Sequence, residues 1–161
     1  MTQEMAYTVD GQSSSQFWDG IAPERPISRA LARMNGGAAF AFSIWPVPTD
    51  IDWRDLDLTI WPREYIQSAG AADAMTVEIR RLEDGEPRQY AVGRGGPRAS
   101  EPDQVIPFGV NGRTVSVFAD EVFDADEATR IYLHYYETQS IPAQYVLRLL
   151  DLAWPPEEQP A

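Results

Sequence analysis

The pattern of apolar and polar positions is clearest between Phe118 and Leu152. Ala128, Ile131, Tyr132 and Tyr135 recur at helical spacing, which predicts one inward-facing stripe. Asp124 stands before that stripe as an N-cap. Glu127 follows at the position from which a side chain reaches back to the cap's own N–H. Phe123 and Ala128 occupy the staple positions around this box, and Asp126 and Glu127 place negative charge where the helix dipole favours it. Pro142 closes the segment, because the residue before a proline resists helical geometry. The apolar run Tyr145–Leu152 is too short for a second long helix and predicts a buried strand.

Upstream, the period shortens. Met75–Leu82 sets Met75, Val77 and Ile79 against Thr76, Glu78 and Arg80, the alternation of a half-buried strand. Asp84-Gly85 begins a reversal and Arg88–Arg94 returns, predicting a hairpin. Val105–Val110 and Arg113–Phe118 flank Asn111-Gly112, a two-residue hairpin signal. Ala38–Trp45 reads as a strand with Phe40, Phe42 and Ile44 on one face, and Leu56–Trp61 as another. Pro26–Met34 suits a short helix stopped by Asn35-Gly36-Gly37. Glu64–Ser68 is ambiguous in pattern, Gly70–Asp73 reads as a turn, and Gly95–Pro102 as a surface loop.

These elements predict an α+β fold: a mainly antiparallel sheet of about six strands built from hairpins, with one long C-terminal helix packed on a face. Strands delivered as consecutive hairpins argue against a doubly wound parallel sheet. Residues 1–17 are polar and read as a flexible N-terminal segment, residues 18–154 as a single domain, and residues 155–161 as an acidic tail.

Composition narrows the function classes. At 161 residues the chain is expected to bury roughly 70% of its unfolded surface, enough for a core without disulfide or metal. There is no cysteine, which removes thiol nucleophiles and thiolate metal sites. The start lacks the basic and apolar regions of a secretory signal, and no run approaches the ~20 apolar residues of a membrane span, so the expected compartment is the cytoplasm. A formal charge of −12 disfavours nucleic acid and anionic membranes as partners. It suits a basic protein partner, and equally suits solubility alone. All thirteen basic residues are arginine, so Schiff-base and P-loop lysine chemistry is absent.

No residue set stands out as catalytic. His134 is the only histidine; it lies beside the apolar stripe and suits the edge of a core. Without cysteine, zinc would depend on carboxylates and that one imidazole. Asp50, Asp52, Asp55 and Asp57 lack the glycine and terminal glutamate of a calcium loop. Gly93-Arg94-Gly95-Gly96 does not open a helix, so it reads as a turn rather than a phosphate cradle. Ser43, Ser68 and Ser116 lack a nucleophile's setting, whereas carboxylate pairs form only in three dimensions. The expectation is therefore no catalytic, metal or cofactor site. An aromatic in an acidic rim suits a hot spot against a basic protein, which nominates Asp50, Asp52, Trp53, Asp55 and Asp57. Asp120, Glu121 and Asp124, at the helix entry, extend that surface.

The C-terminal third, about residues 105–152, resembles actinobacterial immunity proteins, which neutralise toxins of polymorphic or specialised-secretion systems. The likeness rests on Val115-Ser116-Val117, the acidic entry Glu121–Ala128, Tyr135-Tyr136-Glu137-Thr138, Pro142 and the run Tyr145–Leu152. Gln139 stands where that family often has Gly, and Leu147 where it often has Trp. The resemblance implies a non-enzymatic inhibitor that binds and occludes a cognate, cationic toxin. A secretion chaperone or adaptor is one alternative. A small-ligand-binding protein or carboxylate-based enzyme is another. Oligomeric state is not legible.

Overall fold

A computed structural model describes residues 3–18, 20–48, 51–56 and 62–151. The strands of the main sheet run β1 (Met5–Val9), β2 (Ser13–Gln16), β3 (Ala41–Pro46), β4 (Tyr65–Ala71), β5 (Ala74–Met75), β6 (Glu78–Glu83), β7 (Glu86–Gly93) and β10 (Val146–Leu149). Their order is β10-β7-β6-β4-β3-β1-β2, with β5 added against β4, and every pair is antiparallel. The strands β8 (Gln104–Pro107) and β9 (Thr114–Val117) form a separate two-stranded sheet. Two helices complete the described fold, α1 (Glu24–Ala32) and α2 (Ala125–Thr138). The class is the expected antiparallel α+β, but the main sheet has eight strands where about six were expected.

Part of the excess comes from the N-terminus. Residues 5–16, expected as loose chain, form the β1–β2 hairpin at one edge of the sheet. Asp10 and Gly11 both take positive φ, 54° and 68°, as a tight hairpin turn requires. Asp10 then accepts hydrogen bonds from the Phe40 and Ala41 amides, tying the turn to β3. The serines of β2 look disordered in sequence because an edge strand can remain polar. Glu64–Ser68, ambiguous in pattern, falls largely in β4.

Both helices pack together on one face of the sheet. Ile27 and Leu31 of α1 meet Ile131, Tyr132 and Tyr135 of α2 over Phe42, Ile44, Ile66, Ile79 and Val92. Tyr132 is fully buried at the centre; its hydroxyl donates to Phe42 O at 3.0 Å and lies 3.0 Å from Ser68 Oγ. A buried hydroxyl without such a partner would be destabilising, so the sheet itself fixes this ring. Burial pushes the Tyr132 and Tyr135 hydroxyls well above their ordinary pKa.

The α2 start follows the pattern read from sequence. Asp124 Oδ1 accepts from the Glu127 amide at 2.8 Å. The Glu127 side chain, however, does not return to the cap but turns to Arg94 and Tyr145. At the other end Gln139 adopts the left-handed conformation, φ 53°, the geometry that usually selects glycine.

The last strand departs from the buried reading. β10 is an edge strand whose Val146 and Leu149 are 44% and 56% exposed, while Leu147 packs toward the helices. The Asn111-Gly112 hairpin also differs in detail. Its closing bond runs from Phe108 N–H to Arg113 O, and Gly109 and Gly112, rather than Asn111, take positive φ. Four residues, 109–112, therefore separate the bonded pair, in place of the two of a type I′ turn, which needs positive φ at both. The hairpin docks on the main sheet where Gly70 lies against Ile106. A Cβ on Gly70 would sit 2.5 Å from Ala74 O and 2.7 Å from Ile106 Cγ2. Of the strand expected over Leu56–Trp61, only Leu56 is described, half-buried in a bend; 57–61 lie outside the described residues. The tail at 155–161 does too.

Candidate functional site

The acidic entry to α2 is assembled from five pieces of chain: the end of β7, residues 94–98, a 3-10 turn at Ala119–Glu121, the first turn of α2, and β10. Its carboxylates face the protein's own arginines. Arg148 donates from Nε and Nη2 to the two oxygens of Glu121, both at 2.8 Å. The Phe118 amide adds a third donor to Glu121 at 2.9 Å. Arg98 grips Asp120 through Nε and Nη2 at 2.9 Å each, and the Gly95 amide also donates to Asp120. Arg98 and Arg148 both stack on the Phe118 ring, 4.7 and 5.1 Å from its centroid. Arg94 lies over Phe123 and binds Glu127, which also accepts from the Tyr145 hydroxyl.

The electrostatics follow from this geometry. Burial alone would raise the Asp120 pKa, but Arg98 and the Gly95 amide outweigh it and hold the carboxyl below its ordinary value. Burial, reinforced by the hydrogen bond to Glu127, pushes the Tyr145 hydroxyl up to about 12. Three arginines meet three carboxylates here, so the cluster presents little net charge.

This corrects the expected partner surface. The Glu121 side chain is 1% exposed and that of Asp120 10%, so neither offers its charge to another protein. Both serve instead to pin β10 and the 94–98 segment to the start of α2. Asp124 remains exposed, with one oxygen engaged as the helix cap. The sequence missed the arginines because their partners lie 22 to 33 residues away in the chain.

The other nominated surface is the acidic turn at 51–56. Trp53–Asp55 form a 3-10 turn; its backbone is described, but the Trp53 side chain is not. Asp52 accepts from the Arg54 amide and from its guanidinium, at 2.7 Å from Nη2. The hydrogen bonds from Arg54 lower the Asp52 pKa to about 2. Asp55 and Ile51 are exposed beside them. Asp50 and Asp57 lie outside the described residues. Asp52 and Asp55 thus share one exposed turn, with the charge of Asp52 met by Arg54.

On the face of the sheet opposite the helices, polar side chains form a connected row. Glu78 accepts from Gln67 at 2.9 Å and from Gln89 at 2.6 Å, and the Tyr65 hydroxyl donates to Gln89 Oε1. Near its end, Thr8, Ser43, Gln67 and Arg113 line a polar cleft of about 340 Å³.

His134 sits late in α2, half-buried, with Nε2 3.4 Å from Ser140 Oγ. Among the described residues, no group of three or more His, Asp or Glu side chains is placed to hold a metal ion. No helix among them is long and apolar enough to cross a membrane. A groove of about 350 Å³ lies at the opposite edge of the sheet from β10. It is lined by Phe17, Trp18, Ile21 and Pro26 with Arg25 and Arg29, none of which the sequence had nominated.

No protein-family model matches this chain, and no curated protein matches it either.

Proposed function

We propose that this chain is a non-enzymatic, immunity-type inhibitor that binds a cationic partner protein and covers its working surface. The observation that carries the reading is the charge balance of −12 combined with where the arginines are spent. Among the described residues six of the thirteen are held in ion pairs with the chain's own carboxylates, Arg54 with Asp52 among them, and the other carboxylates carry the acidic excess. An excess of one sign accelerates and orients encounter with a partner of the other.

Within the described residues the surface that fits this role is the turn around Trp53, where Asp55 is exposed beside Asp52 and its partner Arg54; Asp124, at the exposed cap of α2, lies beside Ala72 and Met75 at the other end of β4 and does not join it. Asp50 and Asp57 belong to the same acidic segment of sequence. The carboxylates pair with the partner's arginines and lysines, and Trp53 supplies an apolar anchor at the centre. Asp120 and Glu121 contribute indirectly, by holding the scaffold rigid. The resemblance of residues 105–152 to immunity proteins points to a toxin as the partner.

The test is capture of a partner from native lysate, followed by co-expression rescue of that partner's toxicity. Wild type is expected to restore growth. A partner that binds equally well to a chain carrying Trp53→Ala and Asp55→Arg would remove this surface from consideration.

A further inference from the structure

The edge of the sheet formed by β2 carries a feature opposite in sign to the rest of the protein. Trp18 is 72% exposed and Ile21 55%, an unusual outlay of large apolar surface within four positions. They face Phe17 and Pro26 across the groove, and Gln16, the last residue of β2, forms part of its wall. Arg25 and Arg29 stand one helical turn apart on α1 and line the same groove. Neither meets a carboxylate among the described residues, in a chain where carboxylates outnumber arginines nearly two to one. β2 pairs only with β1, so among the described residues its outer row of backbone N–H and C=O groups has no strand partner.

We propose that this groove receives an extended, acidic peptide segment of a partner protein, which adds a strand to β2. Backbone hydrogen bonds to the β2 edge supply affinity without sequence preference. An apolar side chain of the peptide enters between Trp18, Ile21 and Pro26, and its carboxylates reach Arg25 and Arg29. The charge selects the occupant: a basic peptide would meet two guanidiniums that have no carboxylate partner among the described residues. At physiological salt the Debye length is about 8 Å, so a docked peptide senses these arginines more than distant acidic groups. This surface is separate from the acidic turn around Trp53, and it stands or falls independently of that reading.

The experiment uses the full chain, isotope-labelled for amide NMR, and two terminally blocked peptides. One alternates Glu with Val around a central Phe, and the other replaces each Glu by Lys. The acidic peptide is expected to shift the β2 amides and the Trp18 indole, and to protect Ser14 and Gln16 from exchange. Arg25→Glu with Arg29→Glu, both exposed and expected to fold, should weaken it by about tenfold or more. Trp18→Ala should also weaken it. Equal binding of the basic peptide, no shift at β2, or unchanged affinity in the double variant overturns the proposal. So does a β2 edge already protected in the free chain. Release of that protection on Glu157→Arg with Glu158→Arg would identify the chain's own tail as the occupant, and a concentration-dependent dimer a second copy, and either overturns the proposal.

Discussion

Glu121 and Arg148 form a two-pronged ion pair, with both contacts at 2.8 Å and the Glu121 side chain 1% exposed. The pair joins the turn before α2 to the edge strand β10. Removing one member leaves the other charged and poorly solvated, which typically costs more than the pair contributes. Glu121→Gln should therefore lower stability by about 3 kcal/mol, read from urea midpoints. Replacing both residues by leucine should recover part of that loss. A Glu121→Gln chain as stable as wild type would show that β10 is held by other means.

Acid should weaken the fold through Asp120 and Glu83, alongside the exposed Asp52 that Arg54 already holds low. Asp120 is held below its ordinary pKa by Arg98 and the Gly95 amide against the effect of burial. Glu83 is held low by hydrogen bonds from Arg81 and then Tyr90. Lowered folded-state values mean that the unfolded chain takes up protons first as pH falls. The contribution is complete above about pH 5 and is lost as pH drops through the folded values. Asp120→Asn should flatten this decline in urea midpoints measured between about pH 6 and about pH 3.

Base should act through the tyrosines. Tyr132 and Tyr135 are raised by burial, and Tyr145 to about 12 by burial and Glu127. The unfolded chain releases these protons near pH ~10, so stability falls as pH rises past that value. Absorbance at the tyrosinate band should show fewer than the seven tyrosines titrating until the fold is lost.

Two backbone positions predict opposite outcomes. Gln139 ends α2 at φ 53°, so Gln139→Gly should stabilise by about 0.5–1 kcal/mol. Gly70, at φ 125° with Ala74 O and Ile106 crowding the place of a Cβ, should not tolerate Ala. Gly70→Ala is expected to cost about 2 kcal/mol or more, with the β8–β9 hairpin loosened in amide exchange.

The legible parts of this fold were those set by local chemistry. The Asp124 cap, the α2 stripe and the Asp84-Gly85 reversal depend on neighbours within a few positions, and each stands where the pattern puts it. β1 was missed because its inner partner is distant, Met5 pairing with Pro46, and β2 because its serines need no apolar face at an edge. The candidate site was legible only in part, for the same reason. Aspartates and glutamates at the α2 entry are plain in sequence, but Arg98 and Arg148, which neutralise them, are brought in by β7 and β10. Arg25 and Arg29 show the converse, a pair that meets no carboxylate among the described residues of a chain rich in them.

The central claim is that an acidic surface around Trp53 and Asp55 holds a cationic protein without turnover. The most direct measurement is growth of cells co-expressing the captured partner with either wild type or the Trp53→Ala, Asp55→Arg chain. Thermal stability of the two chains would be matched beforehand. Wild type should restore growth, and the variant should fail while folding normally, with wild-type affinity for the partner falling as salt rises. Rescue by the variant equal to wild type, or binding indifferent to salt, would contradict the claim.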